Sequence, residues 1–368
     1  MNYLIPFIIL ITVVVFIHEY GHYYFAKKFG VGITDFSIGF GKEIFGWNDK
    51  DGTRWKICWI PLGGYVKFFG DRNVFSQSEQ QKVINSYDAK DRKKLFILKP
   101  LYQRSIIVAA GPLANFVLAI LIFFFINVFS GKDLTPAIIN EVQKDSPAFS
   151  SGLKKNDVIL SIDNNKVESI LEVSTFINTS TKEVIEFIVL RNDKKISKFI
   201  KPITVVGKDS LGNKVNKKIV GIQLSPLNNK FNKTTLGPSK AIYYSLKEVW
   251  FVTTTSLKYV GKMLTGSGDS SQLGGPIKIA KITGQVAEHG IMPFLSVMAY
   301  ISISLGIINL FPIPMLDGGH LMFYFFEKIF GRPLSQKTQE NFFRIGLFML
   351  LSLMFFVTFN DLKELNLF

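Results

Sequence analysis

The feature that most constrains this chain is a pair of histidines flanking a glutamate inside an apolar segment. Residues 13–24 have the sequence VVVFIHEYGHYY, in which His18, Glu19 and His22 form an H-E-x-x-H motif. Residues four apart on an α-helix share a face, so both imidazoles can reach one zinc ion. Glu19 lies beside the first ligand and can accept a proton from a water molecule there. The alternative is a chance occurrence at the end of a juxtamembrane helix.

The surroundings of the motif favour a functional role. Residues 1–17 carry no charge and are mostly apolar, and ionisable side chains in a membrane span are costly. A secretory signal peptide would need a basic start and a small-residue cleavage site, which this segment lacks. We therefore predict that residues 1–28 form a retained transmembrane helix. Lys27 and Lys28 place its end in the cytoplasm by the positive-inside rule.

The composition is that of a membrane protein. Hydrophobic residues make up 48% of the chain and charged residues only 19%. The formal net charge of +15 predicts contact with anionic lipids. It does not predict a nucleic-acid partner, because no nucleic-acid-binding motif accompanies it. The single cysteine, Cys58, excludes an intrachain disulfide and a thiolate metal cluster.

Apolar stretches long enough to cross a bilayer predict a polytopic α-helical membrane protein with four transmembrane helices. The helices are expected within residues 1–28, 105–130, 291–320 and, with a tail, 345–368. The segments between them are expected to be a cytoplasmic or membrane-associated β-hairpin region with a basic loop (29–104), a PDZ-like domain (131–207), a linker with amphipathic interfacial helices (208–290) and a cytoplasmic loop (321–344).

The hairpin region is rich in glycine and aromatic residues between Gly30 and Gly70. Residues 48–53 have the composition of a turn between two alternating stretches, which predicts a small β-sheet. The edge of such a sheet can pair with an extended peptide. An ordinary cytoplasmic hairpin is an equally good interpretation of the spacing.

The hydrophilic insertion 132–290 mixes short strands and helices. Residues 146–164, SPAFSSGLKKNDVILSIDN, resemble part of a PDZ domain, and Asn192–Asp193 predicts the turn of its closing hairpin. Residues 238–264 predict an amphipathic helix at the membrane interface, and residues 276–289 a second short surface helix. His289 is expected to be solvated rather than a metal ligand.

A catalytic zinc site usually has three protein ligands, so a third is needed. At about 1.5 Å per residue, His18 lies some 25 Å along the first span, near the cytoplasmic face. Asp317 ends the third span, which runs in the same direction, so we predict that it lies at the same depth and is the third ligand. His320 is a rival ligand, and Asp317 could instead cap a helix that begins at Gly318.

The sequence before Asp317 is suited to turning the chain. Pro312 and Pro314 would break the helix, and Gly318 and Gly319 would let the backbone approach the metal closely. In the second span, residues 111–115 have the sequence GPLAN. For Asn115, a bond to a neighbouring helix and a contact with substrate are equally good interpretations.

These motifs, in this order, resemble the bacterial site-2 proteases, of the regulator of sigma-E protease type. The resemblance runs through HEYGH, GFG, PLGGYVKFFG, GPLAN, a PDZ-like insertion, GPIKIA and NLFPIPMLDGGH. It implies one zinc ion on His18, His22 and Asp317, with Glu19 as general base. It also implies substrate contacts at Asn309 and in the hairpin region, where we include Gly63, Gly64 and Tyr65. Close relatives from enteric bacteria carry two PDZ modules, whereas this sequence predicts one.

The expected function is that of a zinc-dependent intramembrane endopeptidase of the bacterial inner membrane. Its substrates would be single-span membrane proteins, such as anti-sigma factors or signal-peptide-like segments, first cut by an upstream site-1-type protease. The PDZ-like domain would lie outside the cytoplasm, with the active site near the cytoplasmic face. A non-catalytic PDZ scaffold and a metal or proton transporter are the alternatives, but Glu19 and Asp317 are both present and the sequence has no inverted repeat.

Overall fold

The computed structural model describes residues 3–70, 87–208, 214–226, 232–266 and 274–364. The chain forms two compact units, one of Met1–Ile122 with Leu273–Phe368 and the other of Phe123–Gln272. Within the described residues, four helices are long and apolar enough to cross a membrane, namely Leu4–Lys28, Leu101–Phe129, Ile291–Leu310 and Lys337–Lys363.

The elements follow one another in chain order. They are α1 (Leu4–Lys28), β1 (Ile33–Asn48), β2 (Arg54–Phe68), α2 (Ala89–Arg92), α3 (Leu101–Phe129), β3 (Lys132–Asp133), β4 (Ile139–Val142), α4 (Pro147–Ser150), β5 (Val158–Ile162), β6 (Asn165–Lys166), α5 (Ile170–Thr179), β7 (Ile185–Arg191), β8 (Lys194–Ile200), β9 (Ile203–Lys208), β10 (Lys214–Ile219), β11 (Ile222–Leu224), β12 (Lys233–Thr234), α6 (Pro238–Leu264), α7 (Pro276–Glu288), α8 (Ile291–Leu310), α9 (Asp317–Phe330) and α10 (Gln336–Glu364).

Two of the predicted spans differ from the observed helices. The span predicted over 291–320 is broken after Leu310, and a separate helix, α9, begins at Asp317. The loop predicted over 321–344 is wrong, because α9 continues to Phe330 and α10 begins at Gln336. The first turns of α10 are polar, so a search for apolar runs does not detect them. Gly331, with φ of +68°, ends α9 in the left-handed conformation that glycine favours.

The predicted turn at residues 48–53 is present, but the sheet around it is more than a two-stranded hairpin. Residues 43–48 pair with 54–58 in antiparallel register. Residues 35–38 pair with 54–57 on one side and with 64–67 on the other. Gly39 and Gly63, with φ of +87° and +141°, allow the sharp bends that this path requires. The result is a compact sheet with residues 64–68 along one edge.

Asp49 fastens the turn of this sheet to α1. Its carboxylate accepts hydrogen bonds from the backbone amide of Thr53 (2.8 Å), the hydroxyl of Tyr23 (2.9 Å) and the indole nitrogen of Trp55 (3.2 Å). Burial acts to raise the pKa of Asp49, but these hydrogen bonds outweigh it and lower the pKa to about 2. The carboxylate is therefore charged at neutral pH and holds the sheet against the end of the helix.

The second unit contains a four-stranded antiparallel sheet in the order β6-β5-β7-β8, together with the pairs β4–β11, β9–β10 and β3–β12. Its apolar core includes Ile139, Ile159 and Phe187, all buried. Asn192 and Asp193 both have positive φ, as the predicted tight turn between β7 and β8 requires. The predicted domain boundary at residue 207 falls short, because β11 pairs with β4 and belongs to the same body.

The amphipathic helix predicted over 238–264 is present as α6, and one of its faces packs on α5. The ring of Phe251 lies 5.3 Å from that of Phe176, and the ammonium of Lys247 lies 2.8 Å from the carboxylate of Glu168. The opposite side leaves Trp250 and Leu264 exposed. The helix is therefore part of the second unit and presents a single apolar stripe outward.

Candidate metal centre

His18 and His22 lie on consecutive turns of α1, on the same face of the helix. Both side chains are buried. Their Nε2 atoms are 3.3 Å apart, and their rings meet edge to face at 82°. The predicted geometry of two imidazoles converging on one point is therefore present.

Asp317 is the third member of this group. Its Oδ2 atom lies 3.1 Å from Nε2 of His18 and 3.5 Å from Nε2 of His22. The N-cap position of α9 is Leu316, and Asp317 is the first residue of the helix, with its carboxylate directed to the histidines. Within the described residues, these three are the set whose ligand atoms lie close enough to hold one metal ion.

The chain reaches this position through a tight turn between α8 and α9. Met315 has φ of +88°, and Pro312 and Pro314 exclude a continuous helix. Gly318 and Gly319 are packed against the backbone of the turn that precedes them. A Cβ on Gly318 would lie 2.3 Å from the backbone oxygens of Leu310 and Phe311, so the glycines let α9 fold back against the turn.

The donor set fits a zinc ion. A tetrahedral ion about 2.05 Å from each ligand atom holds those atoms about 3.3 Å apart. The three sides of the triangle formed by the two Nε2 atoms and Oδ2 are 3.1, 3.3 and 3.5 Å. Two imidazoles and one carboxylate are a common set for catalytic zinc, and they leave the fourth position open.

Helix α3 holds both histidines from behind. Nδ1 of His22 donates to the backbone oxygen of Ile107 at 2.9 Å, and Nδ1 of His18 lies 3.2 Å from the side-chain nitrogen of Asn115. Such partners fix the tautomer and orientation of a metal-bound histidine. Gly111 lies between them, and a Cβ there would be 2.2 Å from Nε2 of His22.

These contacts were only partly foreseen. The bond predicted between Asn115 and a neighbouring helix is present and goes to a metal-site histidine, and the full burial of Asn115 argues against direct contact with substrate. Ile107 and Gly111 were not proposed as site residues. Ile107, Gly111 and Asn115 are spaced four residues apart on α3, as His18 and His22 are on α1. This shared spacing is the sequence signal that could have identified Ile107 and Gly111 as neighbours of the histidines.

Glu19 faces the edge of the small sheet. A Cβ on Gly64 would lie 3.2 Å from Cγ of Glu19 and 3.1 Å from Cγ1 of Val15. The backbone of Val66 is hydrogen bonded to the Glu19 carboxylate. Gly64 is therefore small because the sheet lies directly against the helix that carries the motif, and residues 64–68 run beside the candidate general base.

The remaining candidates have other surroundings. Gly63 packs under the ring of Phe40, which also stacks on Tyr65 with the ring centroids 6.2 Å apart. Asn309 is half-buried in the last turn of α8. The ring of His320 lies 5.5 Å from that of Phe343 and does not belong to the ligand group.

The sequence as a whole matches the model of Peptidase family M50, the site-2 protease family, over residues 6–353. This chain belongs to that family. The predicted family is thereby confirmed.

Curated relatives of this M50 peptidase match over nearly their full length. "Putative zinc metalloprotease Atu1380" of Agrobacterium fabrum is 39% identical over 99% of this chain and 96% of its own. "Metalloprotease MmpA" of Caulobacter vibrioides is 35% identical over 99% of this chain and 96% of its own. Among solved structures, the PDZ domain of an SdrC-like protein from Listeria monocytogenes matches 24% of this chain and 85% of its own, at 25% identity and a TM-score of 0.20. So low a TM-score carries no structural argument, and the PDZ-like fold stays a prediction.

The close approach at Gly111 gives a first test of this M50 metal centre. We expect Gly111→Ala to displace the His22 ring and to reduce zinc content sharply, because the new methyl group would overlap the imidazole. Gly261→Ala is the control, since a Cβ at that helical glycine meets no atom within 4 Å. Metal analysis of the purified variants checks the prediction, and a fully zinc-loaded Gly111→Ala protein would contradict it.

Proposed function

We propose that this M50 peptidase is a zinc-dependent endopeptidase that cuts transmembrane segments of other membrane proteins. The observation that carries the proposal is the zinc-sized triangle of His18, His22 and Asp317, whose two histidines lie on a helix apolar enough to cross a membrane. His18 lies about 15 Å of helix from the end of α1 at Lys28 and about 21 Å from its start at Leu4, which supports a site nearer the Lys28 end. Lys27 and Lys28 support a cytoplasmic location for that end.

The residues of the chain have separable roles in this reaction. The two histidines and Asp317 would hold the zinc, which supplies Lewis acidity that lowers the pKa of water and stabilises negative charge on a carbonyl oxygen. Glu19, beside His18, accepts the proton of the attacking water and returns it to the leaving nitrogen. The hydrogen bond from Val66 orients the Glu19 carboxylate for both transfers.

The small sheet supports the proposal that the substrate is bound as an extended strand. Peptide bonds in a helix are already hydrogen bonded and sterically covered, so a transmembrane helix must unwind locally before it is cut. Residues 64–68 form a sheet edge beside Glu19, and an edge can accept an extended segment through backbone hydrogen bonds. Gly64 and Tyr65 lie on this edge, and we include Gly63 and Asn309 as weaker candidates for substrate contact.

The test of this function is co-expression with single-span membrane proteins. The wild-type enzyme is expected to produce a cut inside the transmembrane segment of at least one of them, mapped by mass spectrometry of the fragments. The Glu19→Gln variant should leave the same protein intact. Cuts only outside transmembrane segments, by a wild-type enzyme that carries zinc, would contradict the intramembrane part of the proposal.

We further propose that the segment between β3 and β12, residues 135–232, restricts which substrates reach the site, so that an upstream site-1-type protease must first trim them. We call this segment the inserted module. Among the described residues, the module lacks a second metal-ligand group. Its entry and exit strands pair with each other, Lys132 with Thr234 and Asp133 with Lys233, so the chain enters and leaves the module side by side. A folded ectodomain on a substrate would be excluded until it is removed.

The pairing of β3 with β12 sets the ends of a deletion. We expect removal of residues 135–232, with a short glycine linker between β3 and β12, to keep zinc and proteolysis but to allow cleavage of untrimmed substrates. Because the deletion also removes Phe176, the partner of Phe251 on α6, the variant carries Phe251→Ser as well. Deleting 136–206 would be unsuitable, because it removes β4 and leaves β11 without its partner. A stable, zinc-loaded deletion variant that still cuts only trimmed substrates would refute the filter.

We also propose that the module lies outside the cytoplasm and that anionic lipids contact the basic surface of the protein. A cysteine introduced at Asn192, in the Cys58→Ser background, is expected to react with a membrane-impermeant maleimide in intact cells. A cysteine at Lys90 should react only after lysis. The opposite pattern would invert the topology.

A further inference from the structure

Asn115 is a buried amide whose hydrogen bonding is incomplete. The residue is fully buried, its side-chain nitrogen lies 3.2 Å from Nδ1 of His18, and its side-chain oxygen is buried without a hydrogen-bond partner. A buried acceptor without a partner destabilises the folded state. The backbone oxygen of Asn115 is separately satisfied by the hydroxyl of Ser302 on α8 at 2.9 Å.

The tautomer of His18 decides which end of this amide fits. With the amide nitrogen facing Nδ1, the ring must accept there, so its proton sits on Nε2 and that atom cannot bind a metal. When His18 ligates through Nε2, its proton sits on Nδ1 and needs an acceptor. Rotating the Asn115 amide by 180° brings its oxygen to Nδ1 and supplies that acceptor.

His22 differs in this respect. Its Nδ1 faces the backbone oxygen of Ile107, which can only accept. His22 is therefore held with Nε2 free whether or not metal is present. His18, facing an amide that can donate or accept, has a partner in either tautomer.

We propose that Asn115 is a positioning residue whose side-chain oxygen accepts the Nδ1 proton of His18, so that Nε2 of His18 is left free to hold the metal. This inference rests on the proposed function, because it takes the triangle to be the zinc site.

Zinc affinity of the full-length protein, measured by competition with a chelator, tests the proposal. Asn115→Leu removes the acceptor at similar volume and is expected to weaken zinc binding about 10–100-fold, the usual effect of losing a partner of a metal-bound histidine. Asn115→Asp keeps an acceptor and should bind zinc at least as tightly as wild type. Ser302→Ala is the matched control, since it removes the bond to the Asn115 backbone alone and should leave zinc affinity unchanged.

A second measurement is which ring nitrogen of His18 carries the proton, because general destabilisation of the fold would not change it. The chain has four histidines, so ¹⁵N-histidine labelling gives few imidazole signals. We expect both metal-free Asn115→Asp and zinc-loaded wild type to carry the His18 proton on Nδ1.

Two results would overturn the inference: a folded Asn115→Leu protein with wild-type zinc affinity, or a metal-free Asn115→Asp protein whose His18 proton stays on Nε2. Failure of the proposed function would look different. In that case wild type itself would lack tight zinc binding, or Glu19→Gln would still cut.

Discussion

Replacing Glu19 by glutamine is expected to abolish cleavage while leaving zinc in place. The glutamine side chain has the same shape and keeps the packing against Gly64, and the three ligands remain untouched. A neutral amide cannot accept the proton of the attacking water. General acid–base catalysis is typically worth about 10²–10⁴-fold, so the cleavage rate should fall by at least about a hundredfold.

Two measurements on the same preparation make this result decisive. Metal analysis should find as much zinc in Glu19→Gln as in wild type, and a cleavage assay should find almost no product. Glu327→Gln is the control, because it also neutralises a half-buried carboxylate, one that pairs with Arg104 at 2.6 Å and lies outside the ligand group. That variant should keep zinc and most of its activity. Residual activity of Glu19→Gln above about a hundredth of wild type would exclude Glu19 as the base.

The metal-ligand group could be anticipated because it follows from regular geometry. The spacing of His18 and His22 places them on one helical face. Counting residues along two parallel spans placed Asp317 at the same depth, and the structure brings its carboxylate within 3.1 Å of His18. The first argument uses the number of residues per turn of a helix and the second uses its rise per residue, and both are nearly constant.

Contacts made by the backbone could not be anticipated in this way. The partner of His22 is the backbone oxygen of Ile107, and every residue has such an oxygen, so the side chain at that position gives no signal. The role of Gly111 depends on how closely α3 approaches α1. Gly318 was correctly singled out, but for the wrong reason, because its crowding comes from the backbone of the preceding turn.

The larger differences in the fold have a similar origin. Apolar runs reveal spans but not polar helical turns, so the sequence predicts a loop where α10 begins. The alternating pattern of residues 33–68 reveals strands but not their pairing, and residues 35–38 lie between two halves of the same following strand. The late strand β11 is only three residues long, and it belongs to the module through its pairing with β4, a long-range contact.

Asp317→Asn is expected to lower both zinc occupancy and activity, whereas His320→Ala should lower neither by much. The asparagine is nearly isosteric but neutral, so it offers zinc a much weaker oxygen ligand than the carboxylate does. With two imidazoles left as strong ligands, we expect zinc content well below one per chain after dialysis against a chelator. Activity should fall at least in proportion.

His320 tests whether nearness to Asp317 in the sequence is enough to make a ligand. Its ring packs against Phe343 and Phe323 at centroid distances of 5.5 and 6.5 Å, which gives it a place in the aromatic contacts between α9 and α10. Truncation should therefore cost stability, about 1 kcal/mol for such a contact, and not metal. Thermal unfolding of both variants separates the two effects. If His320→Ala loses zinc while Asp317→Asn keeps it, the third ligand is the histidine, and the 3.1 Å approach of Asp317 to His18 would have to be an ordinary ion pair.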